Sequence, residues 1–178
     1  MDKDPNTFKM FKFKFISNPN CHCHCCGFCC NCKCKPPYLP VQPSCNYLVY
    51  VTDAGQLETP DNSVSVIDTA TNTIVASIPV GTAPLEVAIT PNGEFGYVPA
   101  LFSNNVTVFN TATNMVVATI PVGINPLGVA ISPNGTLAYV SNHGDNTVSV
   151  INTATNTVTA TIPVGLQPQG IAFTPNGA

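Results

Sequence analysis

The chain predicts an all-β fold of the β-propeller type: four-stranded antiparallel blades in about three 42-residue repeats, a partial propeller, behind an N-terminal tail that is disordered or ordered by metal or disulfides. Three observations carry the prediction. "NTIVASIPVGTAPLEVAITPNG" (72–93), "NMVVATIPVGINPLGVAISPNG" (114–135) and "NTVTATIPVGLQPQGIAFTPNG" (156–177) are copies of one unit, with Gly81, Gly123 and Gly165 spaced by 42 residues, as are Pro91, Pro133 and Pro175. That period, with four short strand signals per unit, falls in the range of propeller blades and not of helical solenoids. Apolar and polar residues alternate within those strand signals, and a proline recurs at one fixed strand position.

Each element follows from local chemistry. In "TVSVIN" (147–152), Val148 and Val150 lie on one face and Ser149 on the other, a pattern repeated by Val64 and Val66 and by Val106 and Val108. "NTATN" (152–156) closes the next hairpin, with Asn152 placed to hydrogen-bond its own backbone. "NTVTATI" (156–162) gives Val158, Ala160 and Ile162 to one face and Thr159 and Thr161 to the other. Pro79, Pro121 and Pro163 recur in the "IPVG" strand, and proline lacks the donor a central strand needs, so this strand is expected at the exposed rim of each blade. "GIAF" (170–173) and "LAYVSN" (137–142) supply the other two strands, joined in each unit by Pro-Asn-Gly, whose Asn-Gly pair tolerates positive φ.

"YVSNHGDNTVSVINTATNTVTATIPVGLQPQGIAFTPNG" closely resembles the YVTN-family β-propeller repeat, which occurs in bacterial and archaeal surface proteins. The resemblance covers about Tyr47 to Ala178. The signature strand departs from the family pattern, reading "YVTD" at 50–53, "YVPA" at 97–100 and "YVSN" at 139–142, and the first copy carries five extra residues within "AGQLETPDN". These changes fall in loops, where insertions are tolerated. Some proteins with such repeats resemble lactonases or quinone-linked dehydrogenases, but no residue here can be carried over to such a site.

Propellers close with four to eight blades, and about three are present. The count fits a fragment of a longer reading frame, which is favoured, a partial ring completed by a second chain into six blades, or an open arc with exposed apolar faces.

Charge bounds the partners. Only 8% of residues are charged, and all six basic residues are lysines at or before Lys35. With Asp2 and Asp4 they give the tail a charge of about +4, leaving −7 of the total −3 to the remainder. A nucleic-acid partner is not expected, because phosphate binding rests on lysine and arginine. No span of about 18 apolar residues exists, which excludes a transmembrane helix. "FKMFKFKFISNPN" interrupts every apolar run with lysine and leaves no secretory h-region, so cytoplasmic synthesis is expected. Phe11, Phe13 and Phe15 alternating with Lys12 and Lys14 read as a solvated start or a basic aromatic strip on an anionic membrane.

The chemistry-bearing residues concentrate in "CHCHCCGFCCNCKCK" (21–35), where eight cysteines and two histidines occupy the fourteen positions to Cys34. Cys21, His22, Cys23, His24, Cys25, Cys26, Cys29, Cys30, Cys32 and Cys34 are the candidate metal ligands. Repeated C-x-x-C and C-x-C spacings suit two tetrahedral zinc sites or a bridged copper(I) cluster, and the segment locally resembles metallothionein. The rival is covalent: nine cysteines is an odd number, and adjacent pairs bond poorly to each other, which points to disulfides between chains. Cysteine-rich proteins made without a signal peptide and cross-linked later resemble bacterial spore-coat components.

The repeats offer little chemistry. His143 and Asp145 share the loop "NHGDN", where a solvated histidine is the simpler reading, and Glu86, Glu94 and Asp145 occupy unrelated repeat positions. No Gly-x-Ser-x-Gly elbow and no phosphate loop occurs. The expected organisation is a basic aromatic tail (1–20), the Cys/His segment (21–35), a stiff Pro-rich linker (36–45) and YVTN repeats (46–178, divided 46–93, 94–135 and 136–178). The expected function is a non-enzymatic structural or interaction protein of a bacterial cell surface, spore coat or exosporium-like layer. Its repeats would be a binding scaffold and its tail a cross-link to protein partners or to itself. Metal binding by the tail and a fragment of a propeller enzyme are the alternatives.

Overall fold

A computed structural model describes residues 47–55 and 60–175. Their strands form three antiparallel sheets, and the described residues contain no helix. Blade I comprises β1 (Leu48–Gly55), β2 (Pro60–Asp68) and β3 (Thr73–Pro79) in that order. Blade II comprises β4 (Ala88–Ile89), β5 (Phe95–Ala100), β6 (Asn105–Asn110) and β7 (Met115–Pro121), and blade III comprises β8 (Pro126–Ile131), β9 (Leu137–Asn142), β10 (Thr147–Asn152) and β11 (Thr157–Pro163). Each sheet is a meander with neighbours in sequence paired in space. No helix of the described residues is long and apolar enough to cross a membrane.

The local signals act as their chemistry requires. β3, β7 and β11, which end on Pro79, Pro121 and Pro163, are edge strands, where the missing N–H costs no ladder bond. Gly93 and Gly135 of the Pro-Asn-Gly turns take φ of 75° and 74°. Asp68, Asn110 and Asn152 accept from the N–H two residues on, at 2.7, 3.0 and 2.9 Å, and Asn72, Asn114 and Asn156 leave the same turns in the left-handed region. A register shift recurs in all three edge pairings, after Val66, Val108 and Val150, so the bulge is part of the repeat.

The core lies between blades. One cluster joins Val64, Val66 and Ile78 of blade I to Val98 and Phe109 of blade II; another joins Tyr97, Val106, Val108 and Ile120 of blade II to Val129, Ala138, Val140 and Ile151 of blade III. Central strands therefore have neighbours on both faces: Thr107 and Ser149 are as buried as the valines beside them. Each fully buried aliphatic side chain contributes about 1.5–3 kcal/mol relative to exposure.

Residues 170–173, expected as a strand, are not one. A strand exists by exchanging hydrogen bonds with a neighbour, and no described residue stands beside them as β5 and β9 stand beside β4 and β8. They still pack: Phe173 meets Tyr139 edge-on at 5.1 Å, and the Ser141 hydroxyl donates to the Gln169 carbonyl at 2.6 Å. The insertion in the first repeat lengthens β1 and β2, which remain paired at Gly55 and Pro60 beyond a register shift after Asp53.

Candidate functional site

The seams between blades bring polar groups together. Between blades I and II, the Gly81 N–H donates to Thr107 Oγ1 at 3.3 Å and the Thr82 N–H to Ser103 Oγ at 2.8 Å, while the Leu101 and Phe102 N–H groups return to the carbonyls of Ala83 and Thr82. Between blades II and III, the Ile124 N–H donates to Asp145 Oδ2 at 2.6 Å, and the His143 and Gly144 N–H groups return to the carbonyls of Asn125 and Ile124. Glycine permits this approach. A Cβ on Gly81 would lie 2.4 Å from Ala100 Cβ, and one on Gly123 would lie 2.5 Å from Asp145 Oδ2 and 2.6 Å from the Asn142 amide.

The second seam holds a cleft of about 470 Å³ walled by Gly123, Asp145, Thr147, Ser149, Val158 and Thr161. Beside it Asn142 is fully buried; its Nδ2 donates to Thr147 Oγ1 at 3.0 Å and Ser149 Oγ at 2.9 Å, and its Oδ1 has no partner among the described residues. The two hydroxyls accept from Asn142 and retain their own protons to donate. In blade I the matching residue is Asp53, whose Oδ2 accepts from Ser63 and Ser65 at 3.1 and 2.8 Å; in blade II it is Ala100, with no polar group at all. The cleft suits hydrogen bonding to a polar group. It lacks a nucleophile paired with a base, since Asp145 is the only ionisable group on its wall and engages a backbone N–H.

Tyrosines of the signature strand tie neighbouring blades. Tyr50 donates to the Thr111 carbonyl at 3.4 Å and stacks against Phe109 at 5.1 Å, and Tyr97 donates to Asn156 Oδ1 at 2.8 Å. Burial raises both phenols, pushing Tyr97 up to about 12.

The candidate ligands Cys21 to Cys34 lie outside the described residues. His143 is half-buried beside the second seam, held through its backbone N–H. The acidic residues are dispersed as their repeat positions imply: Glu86 accepts from the Val129 N–H at 3.0 Å, Glu94 from Asn92 Nδ2 at 2.8 Å, and Asp145 from Ile124. Among the described residues no three His, Cys, Asp or Glu side chains gather as a metal site. Sequence reasoning missed Asn142 and the glycines as seam residues. The signal was present in the recurrence of "VG" and in the asparagine that ends the signature strand.

No protein-family profile and no curated protein matches the chain. Solved structures do. Hydrazine synthase of Kuenenia stuttgartiensis matches with a TM-score of 0.68 and 27% identity over 73% of this chain and 36% of its own. A functionally unknown protein from Desulfotomaculum acetoxidans matches at 0.58 and 21% over 65% and 39%, and the dihydro-heme d1 dehydrogenase NirN, in complex with DHE, at 0.57 and 22% over 65% and 24%. The chain thus spans between about a quarter and two fifths of the length of these three proteins. The likeness to hydrazine synthase, an enzyme, at 27% identity corrects the expectation of a non-enzymatic protein. That expectation rested on the lack of convergent acids and bases in the repeats. A chain matching about a third of an enzyme's length need not hold the enzyme's reacting groups, which are grafted on a fold and not dictated by it. The likeness and the three antiparallel sheets agree on one conclusion: the chain carries a β-propeller-type fold.

Proposed function

We propose that this chain supplies YVTN-type propeller blades to an enzyme whose reacting groups lie outside the described blades. The observation that supports the reading is the likeness to hydrazine synthase, at 27% identity across 73% of this chain. The seams agree with a scaffold role: Thr107, Ser103 and Asp145 each accept a backbone N–H across a seam, and Asp145 is the one ionisable group on the cleft wall. Membership of the YVTN repeat type is supported by the recurring signature tyrosines, Tyr50, Tyr97 and Tyr139, two of which bridge to the next blade's turn.

Isolating the endogenous protein through a tag at its N-terminus, followed by intact mass, subunit composition and turnover with artificial electron acceptors and lactone substrates, tests this. The expected result is either a polypeptide longer than 178 residues or a stoichiometric second polypeptide, with turnover. A 178-residue chain isolated without other polypeptides and inert toward both substrate classes overturns it.

A further inference from the structure

The Cys/His segment (21–35) takes no part in the proposed enzyme scaffold. It holds eight of the nine cysteines and two of the three histidines, and no cysteine occurs from 46 to 178, so its thiols have none in the blades to bridge to. No Asp or Glu stands between Asp4 and Asp53, while Lys33 and Lys35 flank the last thiol, Cys34. The donors are therefore sulfur and imidazole nitrogen without carboxylate oxygen, a set that suits zinc and copper and not magnesium or calcium. Neighbouring lysines favour the thiolate, which is the form that binds metal. The blades offer no rival: among the described residues no three His, Cys, Asp or Glu side chains gather.

Spacing sorts the ten donors. Cys23, Cys26, Cys29 and Cys32 form an unbroken series at intervals of three, four thiolates that complete one tetrahedral ion. Cys21, His22, His24, Cys25, Cys30 and Cys34 remain, enough for a second. Oxidation within the chain fits this spacing poorly. A disulfide draws two sulfurs to about 2.04 Å and seldom joins neighbours such as Cys25 and Cys26, whereas two thiolates on one zinc, each at about 2.3 Å, stand about 3.8 Å apart. Disulfides between chains would satisfy the thiols but leave His22 and His24 without a role. Interleaved with Cys21, Cys23 and Cys25, those imidazoles are zinc ligands and have no part in thiol oxidation. The bacterial iron–sulfur spacing is not met either, because after Cys23, Cys26 and Cys29 its fourth position falls on Lys33. We propose that residues 21–34 bind a pair of zinc ions, one on the Cys23 to Cys32 series and one on a mixed set that includes His22 and His24. This site goes beyond the enzyme reading and uses no residue of the blades, so either can fail without the other. Each thiol gives up its proton on binding, so acid releases the metal.

The test is the zinc content of the full chain, produced with zinc in the medium, purified under a phosphine reductant and measured by elemental analysis against protein concentration. About two zinc ions per chain are expected. The variant carrying Cys23→Ser, Cys26→Ser, Cys29→Ser and Cys32→Ser should hold about one or none. Its circular dichroism should match wild type, since the changes lie outside the blades. Those substitutions also remove thiols that could cross-link, so a second variant, His22→Gln with His24→Gln, keeps every cysteine. Loaded with cobalt(II), it should show absorption bands displaced from those of the wild type as the mixed site loses its imidazoles, a change that cross-linking would not produce. About one zinc or none in the wild type, equal zinc in the wild type and the cysteine variant, or a cobalt spectrum indifferent to the histidine variant overturns the proposal. Zinc-free chains that run as multimers on non-reducing electrophoresis do so as well, and assign the thiols to cross-links.

Discussion

The two seams share one backbone arrangement and differ in side-chain chemistry. Both place a glycine against the following blade and exchange backbone bonds between matching loops. At the first seam the glycine faces Ala100 and donates its N–H to the Thr107 hydroxyl, while Ser103 accepts from Thr82; at the second it faces a buried amide, Asn142, and a carboxylate, Asp145, which accepts from Ile124. The repeat therefore holds the distance between blades constant and leaves the contents of each seam free to vary. Function on such a fold is expected where the contents vary, because packing fixes the rest.

The largest effect should come from breaking the shared distance. Gly81→Ala brings a Cβ within 2.4 Å of Ala100 Cβ, an atom that no rotamer can move, and should cost about 3 kcal/mol. Gly123→Ala meets side-chain atoms of Asp145 and Asn142 that can partly yield, and about 2 kcal/mol is expected. Thermal unfolding of both variants measures the difference; equal, small losses would mean that the blades slide apart freely and that the glycines are incidental.

Alkaline pH should probe the tyrosine ties next. The Tyr97 phenol is pushed from 10.0 to about 12 in the folded chain, so its contribution is complete below pH 10 and lost as pH rises through 12. That loss is on the order of 2 kcal/mol. Tyr97→Phe should flatten the stability profile over this window, followed by denaturant midpoints at each pH; an unchanged slope would assign the alkaline loss to other groups. Tyr50, raised in the same direction by burial, contributes in the same sense from the first seam.

Asn142→Ala converts the second seam toward the first, where Ala100 stands. It removes two hydrogen bonds made by a buried amide together with an Oδ1 that lacks a partner among the described residues, and a net loss of about 1.5 kcal/mol is expected. A gain in stability would show that the amide is retained for the cleft and against the fold.

Much of this was legible in the sequence for a physical reason: each blade repeats the same turn chemistry and the same edge proline, so period, hairpins and strand order follow from local rules. The 170–173 segment was misjudged because strand propensity is local while a strand requires a neighbour. Burial was only half legible. The valines of β2, β6 and β10 announced one buried face, but the alternation says nothing of the opposite face, and only the stacking of blades shows that Thr107 and Ser149 are buried there. The seam cleft was illegible because its walls, Gly123 and Asp145, stand 22 residues apart in different blades, and because a glycine carries no sign of what approaches it.

The smallest effect sharpens the comparison most directly. Asp145→Ser gives the second seam the hydroxyl that Ser103 supplies to the first, exchanging a bond of 2.6 Å to a carboxylate for one like the 2.8 Å bond of Thr82. A charged acceptor makes the stronger bond, but Asp145 is exposed and water screens it, so about 0.5 kcal/mol should be lost. The urea midpoint of this variant beside that of Gly123→Ala separates the two contributions. If the exchange costs as much as the added Cβ, the carboxylate and not the close approach holds blades II and III together, and the seams differ in mechanism as well as in content.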